Sequence, residues 1–185
     1  MIDDVKRDTE QRMQASIDAL VRDLGSIRTG RASPALVERM MVDYYGTSTP
    51  LNQIAGISAP EPRLLVIQPW DKGALSAIER AIQMSELGLT PNNDGQVIRL
   101  SIPQLTEDRR KDLVRMLRGK VEEGKVSVRN VRRDAIDSLK DLLKEKEIGE
   151  DEERRAESDI QDLTNRFIEE AEALGHAKEE EVLEV

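Results

Sequence analysis

The chain has no cysteine, one histidine (His176) and four aromatic residues: Tyr44, Tyr45, Trp70 and Phe167. Without cysteine there is no disulfide framework, no thiolate metal site and no cysteine nucleophile. A lone histidine excludes a His-cluster metal site and argues against a His-based catalytic dyad. No apolar stretch approaches the roughly 18 residues that span a bilayer. The opening Met1-Ile2-Asp3-Asp4 lacks the basic-then-apolar layout of a signal peptide and is too acidic for a transit peptide, so the cytoplasm is the expected compartment. Also missing are the phosphate-binding G-x-x-x-x-G-K-[ST] and G-x-G-x-x-G loops and the G-x-S-x-G elbow. No catalytic residue, metal, cofactor, small-molecule substrate or membrane partner is therefore expected. The scarcity of aromatics argues against modules that stack single-stranded bases.

What is present is periodic. Among the 185 residues, Met13, Ile17, Leu20, Leu24 and Ile27 recur at steps of 4, 3, 4 and 3, the rhythm of a helix packed on other helices. Thr29-Gly30 is expected to end it. Ser33-Pro34 then offers an N-cap and N1 proline for a short helix to about Arg39. From Met40 the period falls to two. Strands are expected over residues 40–45, 47–52, 54–58, 63–68 and 96–102, separated by Gly46, several prolines and an Asn92-Asn93-Asp94-Gly95 turn. One helix interrupts them, with Leu75, Ile78, Ala81 and Ile82 on one face and Gly88 closing it.

From Thr106 the helical rhythm returns. Val114, Leu117, Val121, Val128, Val131 and Ala135 form one seam, and Ala156, Ile160, Leu163, Phe167, Ala171 and Leu174 form another after a break at Ile148-Gly149. Such helices cannot bury their stripes alone, and three can do so together. The expected fold is α+β in two domains and elongated: a long three-helix bundle from residues 1–29 and 106–185, with a small mixed α+β domain, residues 30–105, inserted. Gly30, Arg31, Pro103, Gln104 and Leu105 fall at the two connections and are the expected hinge. Of the exceptional side chains, His176 is expected to be exposed. One of Tyr44 and Tyr45 should face the core and the other the surface. Trp70 either packs at a strand end or marks a contact surface.

The formal charge of −9 conceals a division. Residues 106–146 carry 13 positive and 9 negative groups, whereas residues 147–185 carry 4 and 15. Lys111, Arg115, Arg118, Lys125, Arg129 and Arg132 follow helical spacing beside the second helix's apolar seam. Arginine dominates this stretch, and its planar fork matches phosphate oxygens. One reading is a rod that lays a basic edge along folded RNA. The competing reading is that the basic helix exchanges surface salt bridges with the acidic one, each worth about 0–1 kcal/mol.

Six segments in register resemble the ribosome recycling factor family. They are residues 27–34 (Ile27 to Pro34), 42–46 (Val42 to Gly46), 69–71 (Pro69-Trp70-Asp71), 85–91 (Ser85 to Pro91), 105–111 (Leu105 to Lys111) and 128–135 (Val128 to Ala135). The resemblance implies a long three-helix bundle with a hinged α+β domain, together shaped like a tRNA. It implies a translation factor that binds the post-termination ribosome. With elongation factor G, which hydrolyses the GTP, such a factor splits the subunits and frees the mRNA. It implies a monomer whose bundle contacts large-subunit ribosomal RNA, with some ribosomal proteins, while the small domain meets elongation factor G. The matching RNA-binding positions are Arg28, Arg31, Arg109, Arg110, Arg129, Arg132 and Arg133. Departures are Gly119 and Gly124 within the second helix, Glu86 in place of a commoner Asp, and an acidic third helix expected to end near Gly175. The alternative function is a helical protein-binding adaptor or holdase without RNA binding, which leaves the arginines and the inserted domain without a purpose.

Overall fold

The computed structural model describes residues 1–184. Its helices are α1 (Ile2–Gly25), α2 (Leu75–Met84), α3 (Glu107–Lys144) and α4 (Glu150–Leu183). Its strands are β1 (Met41–Tyr44), β2 (Thr47–Pro50), β3 (Ala55–Glu61), β4 (Leu64–Pro69), β5 (Pro91–Asn93) and β6 (Ile98–Ser101). The chain divides into two compact units, one from Met1–Leu24 and the chain from Val114 onward, the other from Gly25–Leu113. The sequence pattern sets the same boundaries some residues further in, between 29 and 30 and between 105 and 106.

The larger unit is a three-helix bundle of α1, α3 and α4. Met13, Ile17, Leu20 and Leu24 of α1 are buried, as are Leu117, Val121, Val128, Val131, Ala135 and Leu139 of α3. Ala156, Ile160, Phe167, Ala171 and Val182 of α4 complete the core. Burying each large apolar side chain contributes about 1.5–3 kcal/mol. Two polar residues join this core: Thr9 and Thr164 are buried, with their hydroxyls returned to Val5 O at 2.6 Å and Ile160 O at 2.7 Å.

Two helix ends differ from expectation. The first helix stops at Gly25, before Thr29-Gly30, although Ile27 and Thr29 beyond it are still buried. The last runs on through Gly175 to Leu183, because Gly175 is a packing position. A Cβ there would lie 2.7 Å from Val121 Cγ2, and one on Gly124 would lie 3.1 Å from Leu20 Cδ2. The glycines let neighbouring helices approach closely. At the turn between α3 and α4, the Glu152 carboxylate accepts the Gly149 N–H at 2.9 Å, and four acids occupy the first turn of α4, where the helix dipole favours them.

In the smaller unit, β1 and β2 form an antiparallel hairpin, and the other four strands form an antiparallel sheet in the order β3-β4-β6-β5. Leu75, Ile78 and Ile82 of α2 share a core with Leu65, Ile67, Ile98, Leu100 and Val42. β5 occupies residues read from sequence as part of a turn. It is an edge strand, as is β3, which is why Pro91 and Pro60 are tolerated in them. The expected short helix after Ser33 is one 3₁₀ turn, Pro34–Leu36, capped by the Ser33 hydroxyl.

Candidate nucleic-acid interface

The basic stripe on α3 divides into two chemically distinct parts. Toward its N-terminal half, the acidic helix α4 neutralises it: Arg118 Nη2 donates to Glu179 Oε1 at 2.7 Å, and Lys125 Nζ donates to Glu172 Oε1 at 2.8 Å. The two partnerships hold the Arg118 guanidinium above its ordinary pKa and the Glu172 carboxyl below its own. For these two residues the salt-bridge reading is correct. Lys111 pairs within its own helix with Glu107, at 3.6 Å.

One turn further along, the hydrogen bonds to α4 stop. Arg129 reaches only Glu122 of its own helix, at 3.4 Å, and Arg133 reaches the Asn130 side-chain amide, also at 3.4 Å. Arg132 forms neither a hydrogen bond nor an ion pair among the described residues. At i, i+3 and i+4 these arginines share one helix face; none of them hydrogen-bonds to an acid of α4, though Arg129 adds to the lowering of the Glu172 pKa. Elsewhere on this unit, α1 is tied to its neighbours by Lys6–Asp159 at 2.5 Å, Arg12–Asp134 at 2.7 Å and Arg166–Glu10 at 2.9 Å. Unpaired arginine is thus not the general condition of the bundle surface.

A second group lies in the smaller unit, where Thr106 starts α3 by accepting the Arg109 N–H at 3.1 Å. Arg28 donates from Nη2 to Pro103 O at 3.2 Å, and its Nε is buried without a partner. Burial first, and the positive Arg109 second, lower the Arg28 pKa. Half-buried Arg110 likewise has a buried Nε without a partner. Arg28, Arg109 and Arg110 form no ion pair among the described residues. Burying an unsatisfied polar group costs about 1–3 kcal/mol.

The expected hinge residues lie inside the smaller unit, and the chain passes between units at Leu24–Gly25 and Leu113–Val114. Gly30 has φ of +82°, and a Cβ there would meet the Leu105 side chain at 3.5 Å. Leu105 is buried, whereas Arg31, Pro103 and Gln104 are exposed. His176 is exposed as expected, and Trp70 is 70% exposed and does not pack at the strand end. Among the described residues no group of His, Asp and Glu is arranged to hold a metal ion, and no helix is long and apolar enough to cross a membrane.

The profile of the family described as "Ribosome recycling factor" matches residues 20–183. The chain belongs to the ribosome recycling factor family. It is 58% identical over 185 residues to the ribosome-recycling factor of Thermomicrobium roseum, covering all of both chains. It is 55% identical, with the same coverage, to that of Carboxydothermus hydrogenoformans. Among solved structures, the solution structure of a ribosome recycling factor superposes with a TM-score of 0.78 at 43% identity, covering 100% of this chain and 98% of that one. A second match is a model of the T. thermophilus ribosome recycling factor, with the E. coli elongation factor G, bound to the E. coli post-termination complex. It aligns at a TM-score of 0.70 and 50% identity, covering 99% of each chain. Bundle and inserted sheet domain are therefore family features.

Proposed function

We propose that this chain is a cytoplasmic, monomeric translation factor without catalytic activity of its own. It binds the post-termination ribosome and, with elongation factor G and GTP, drives subunit splitting and release of mRNA. The observation that carries the reading is the separation of basic residues tied to α4 from arginines that make no hydrogen bond to it, in a member of this family. Arg118 and Lys125 are engaged with α4, whereas Arg129, Arg132 and Arg133 on the bundle, and Arg28, Arg109 and Arg110 in the smaller unit, are available to ribosomal RNA phosphates. Exposed Arg31 is proposed as a further RNA contact for its position alone. The adaptor reading gives these six no partner.

Bending between the RNA-binding bundle (residues 1–29 and 106–185) and the partner-facing domain (30–105) is part of the proposal. Because α3 is continuous from Glu107 to Lys144, angle changes on the returning strand belong before it, at Pro103, Gln104 and Leu105. On the outgoing strand they belong at Gly30-Arg31. The test is light scattering from defined post-termination complexes with elongation factor G and GTP. Addition of this chain should lower the scattering as subunits separate. Unchanged scattering at every concentration would sink the reading.

A further inference from the structure

A groove of about 660 Å³ opens on the smaller unit between the β1–β2 hairpin and α2. Three of the chain's exposed large apolar side chains line it: Met41 (52% exposed), Tyr45 (73%) and Met84 (80%). Methionines adapt their shape to whatever docks against them. The tyrosine is held by an unusual device. Tyr45 and Gly46 are the two turn residues between β1 and β2, with φ of +49° and +84°. A two-residue turn of this hand favours Asn, Asp or Gly, and an aromatic residue there is strained.

The surroundings are arranged to keep the ring in place. Tyr45 Oη donates to Asp71 Oδ2 at 2.5 Å, and Asp71 Oδ1 accepts the Gly73 N–H at 2.9 Å. The Tyr44 ring stands edge-on at 4.7 Å between centroids. Gly73 is required by the same contact, since a Cβ there would lie 2.8 Å from Tyr45 Oη. A strained backbone, a dedicated carboxylate and a clearing glycine thus converge on a side chain left largely in water. Strain of this kind persists where structure around it serves a function.

The charges say what the groove would take. The exposed Asp43 carboxylate accepts the Gly46 N–H at 2.9 Å, and Asp71 is committed to Tyr45 and Gly73. Exposed Arg80, also on the groove, forms no ion pair among the described residues. We propose that this groove docks a protein partner through one large apolar side chain seated between Met41, Tyr45 and Met84, with a neighbouring carboxylate on Arg80. Tyrosine and arginine are the residue types that most often dominate protein interfaces. Identifying that partner as elongation factor G rests on the function proposed above.

The test uses the full chain with Tyr45→Asn, Arg80→Ala and Arg80→Glu. Asn suits the left-handed turn, so Tyr45→Asn should melt no lower than about the parent while losing the ring. Ribosome binding without elongation factor G should be unchanged in all three. The elongation factor G concentration giving half-maximal splitting should rise about tenfold for Tyr45→Asn and Arg80→Ala, and further for Arg80→Glu, which repels the carboxylate. Folded variants that split ribosomes like the parent, or that lose ribosome binding itself, overturn the docking surface. A short helical peptide carrying Leu and, one turn away, Glu is the independent probe. It should shift the amide resonances of Tyr45, Ala77 and Arg80 in the parent and not in Arg80→Glu, and no shift at these amides overturns the proposal. This arm decides the groove even if the parent fails to split ribosomes, a failure that would count against the function above instead.

Discussion

Three glycines in the bundle helices should respond oppositely to one substitution. Replacing Gly by Ala in a helix interior gains about 1 kcal/mol of propensity, and Gly119 should show all of it, since nothing lies within 4 Å of its would-be Cβ. At Gly124 the methyl would sit 3.1 Å from Leu20 Cδ2, a chain end that yields by a few tenths of an ångström, so the change should be near zero. At Gly175 the methyl would lie 2.7 Å from Val121 Cγ2. Valine on a helix has one strongly preferred χ1 rotamer, and overpacking costs about 1–3 kcal/mol. Subtracting the propensity gain leaves a net loss of about 1 kcal/mol, hence a spread of about 2 kcal/mol between Gly119→Ala and Gly175→Ala. Urea titration followed by far-UV circular dichroism reads the helices, while Trp70 fluorescence reads the smaller unit separately. With an unchanged denaturant slope, the midpoint should rise for Gly119→Ala and fall for Gly175→Ala. Equal rises would refute the close-packing account.

Two further outcomes follow from local geometry. Lys146 ends α3 with φ of +60°, and the bonds Lys146 N–H to Leu143 O and Glu147 N–H to Leu142 O are those of a helix stop that favours glycine; Lys146→Gly should stabilise the chain by about 1 kcal/mol, measured by urea titration, and a loss would contradict this. Asp94 is held at about 2, below its ordinary 3.8, first by the Val97 N–H, then by Arg99 and the Gln96 N–H. Its folded pKa is depressed, so its stabilising contribution is present above about 3.8 and disappears as pH falls through about 2; NMR titration of its carboxyl carbon should give that midpoint, and one near 3.8 would remove the claim.

The parts of the fold that could be read from sequence are those set by one-dimensional periodicity. The α1 seam from Met13 to Leu24 and the α3 seam from Leu117 to Ala135 are buried as their spacing implies. What escaped was decided by neighbours. Thr164 and Gly175 occupy the α4 core where Leu163 and Leu174 are only half-buried: one hides its hydroxyl on Ile160 O, and the other makes room for Val121. Asn92-Asn93 reads as part of a turn because an edge strand tolerates residues that a central strand does not. The candidate arginines were visible as a stripe, but which of them meet an acid depends on how α3 and α4 are rotated against each other. The Tyr45–Asp71–Gly73 arrangement joins residues 26 apart in sequence and has no local signature beyond a tyrosine in an unfavourable turn position.

The most direct test of the account is the salt dependence of ribosome binding by two double variants, Arg129→Ala with Arg132→Ala and Arg118→Ala with Lys125→Ala. The first pair should weaken binding and make the slope of log affinity against log salt shallower by about 0.7–0.9 per lost phosphate contact, with melting close to the parent. Arg132→Lys should retain part of the affinity, keeping charge but losing the fork. The second pair should instead cost about 0–2 kcal/mol of stability for two exposed ion pairs and leave the slope alone. Parental affinity and slope in the Arg129/Arg132 variant at near-physiological salt would contradict the claim that these arginines hold ribosomal RNA.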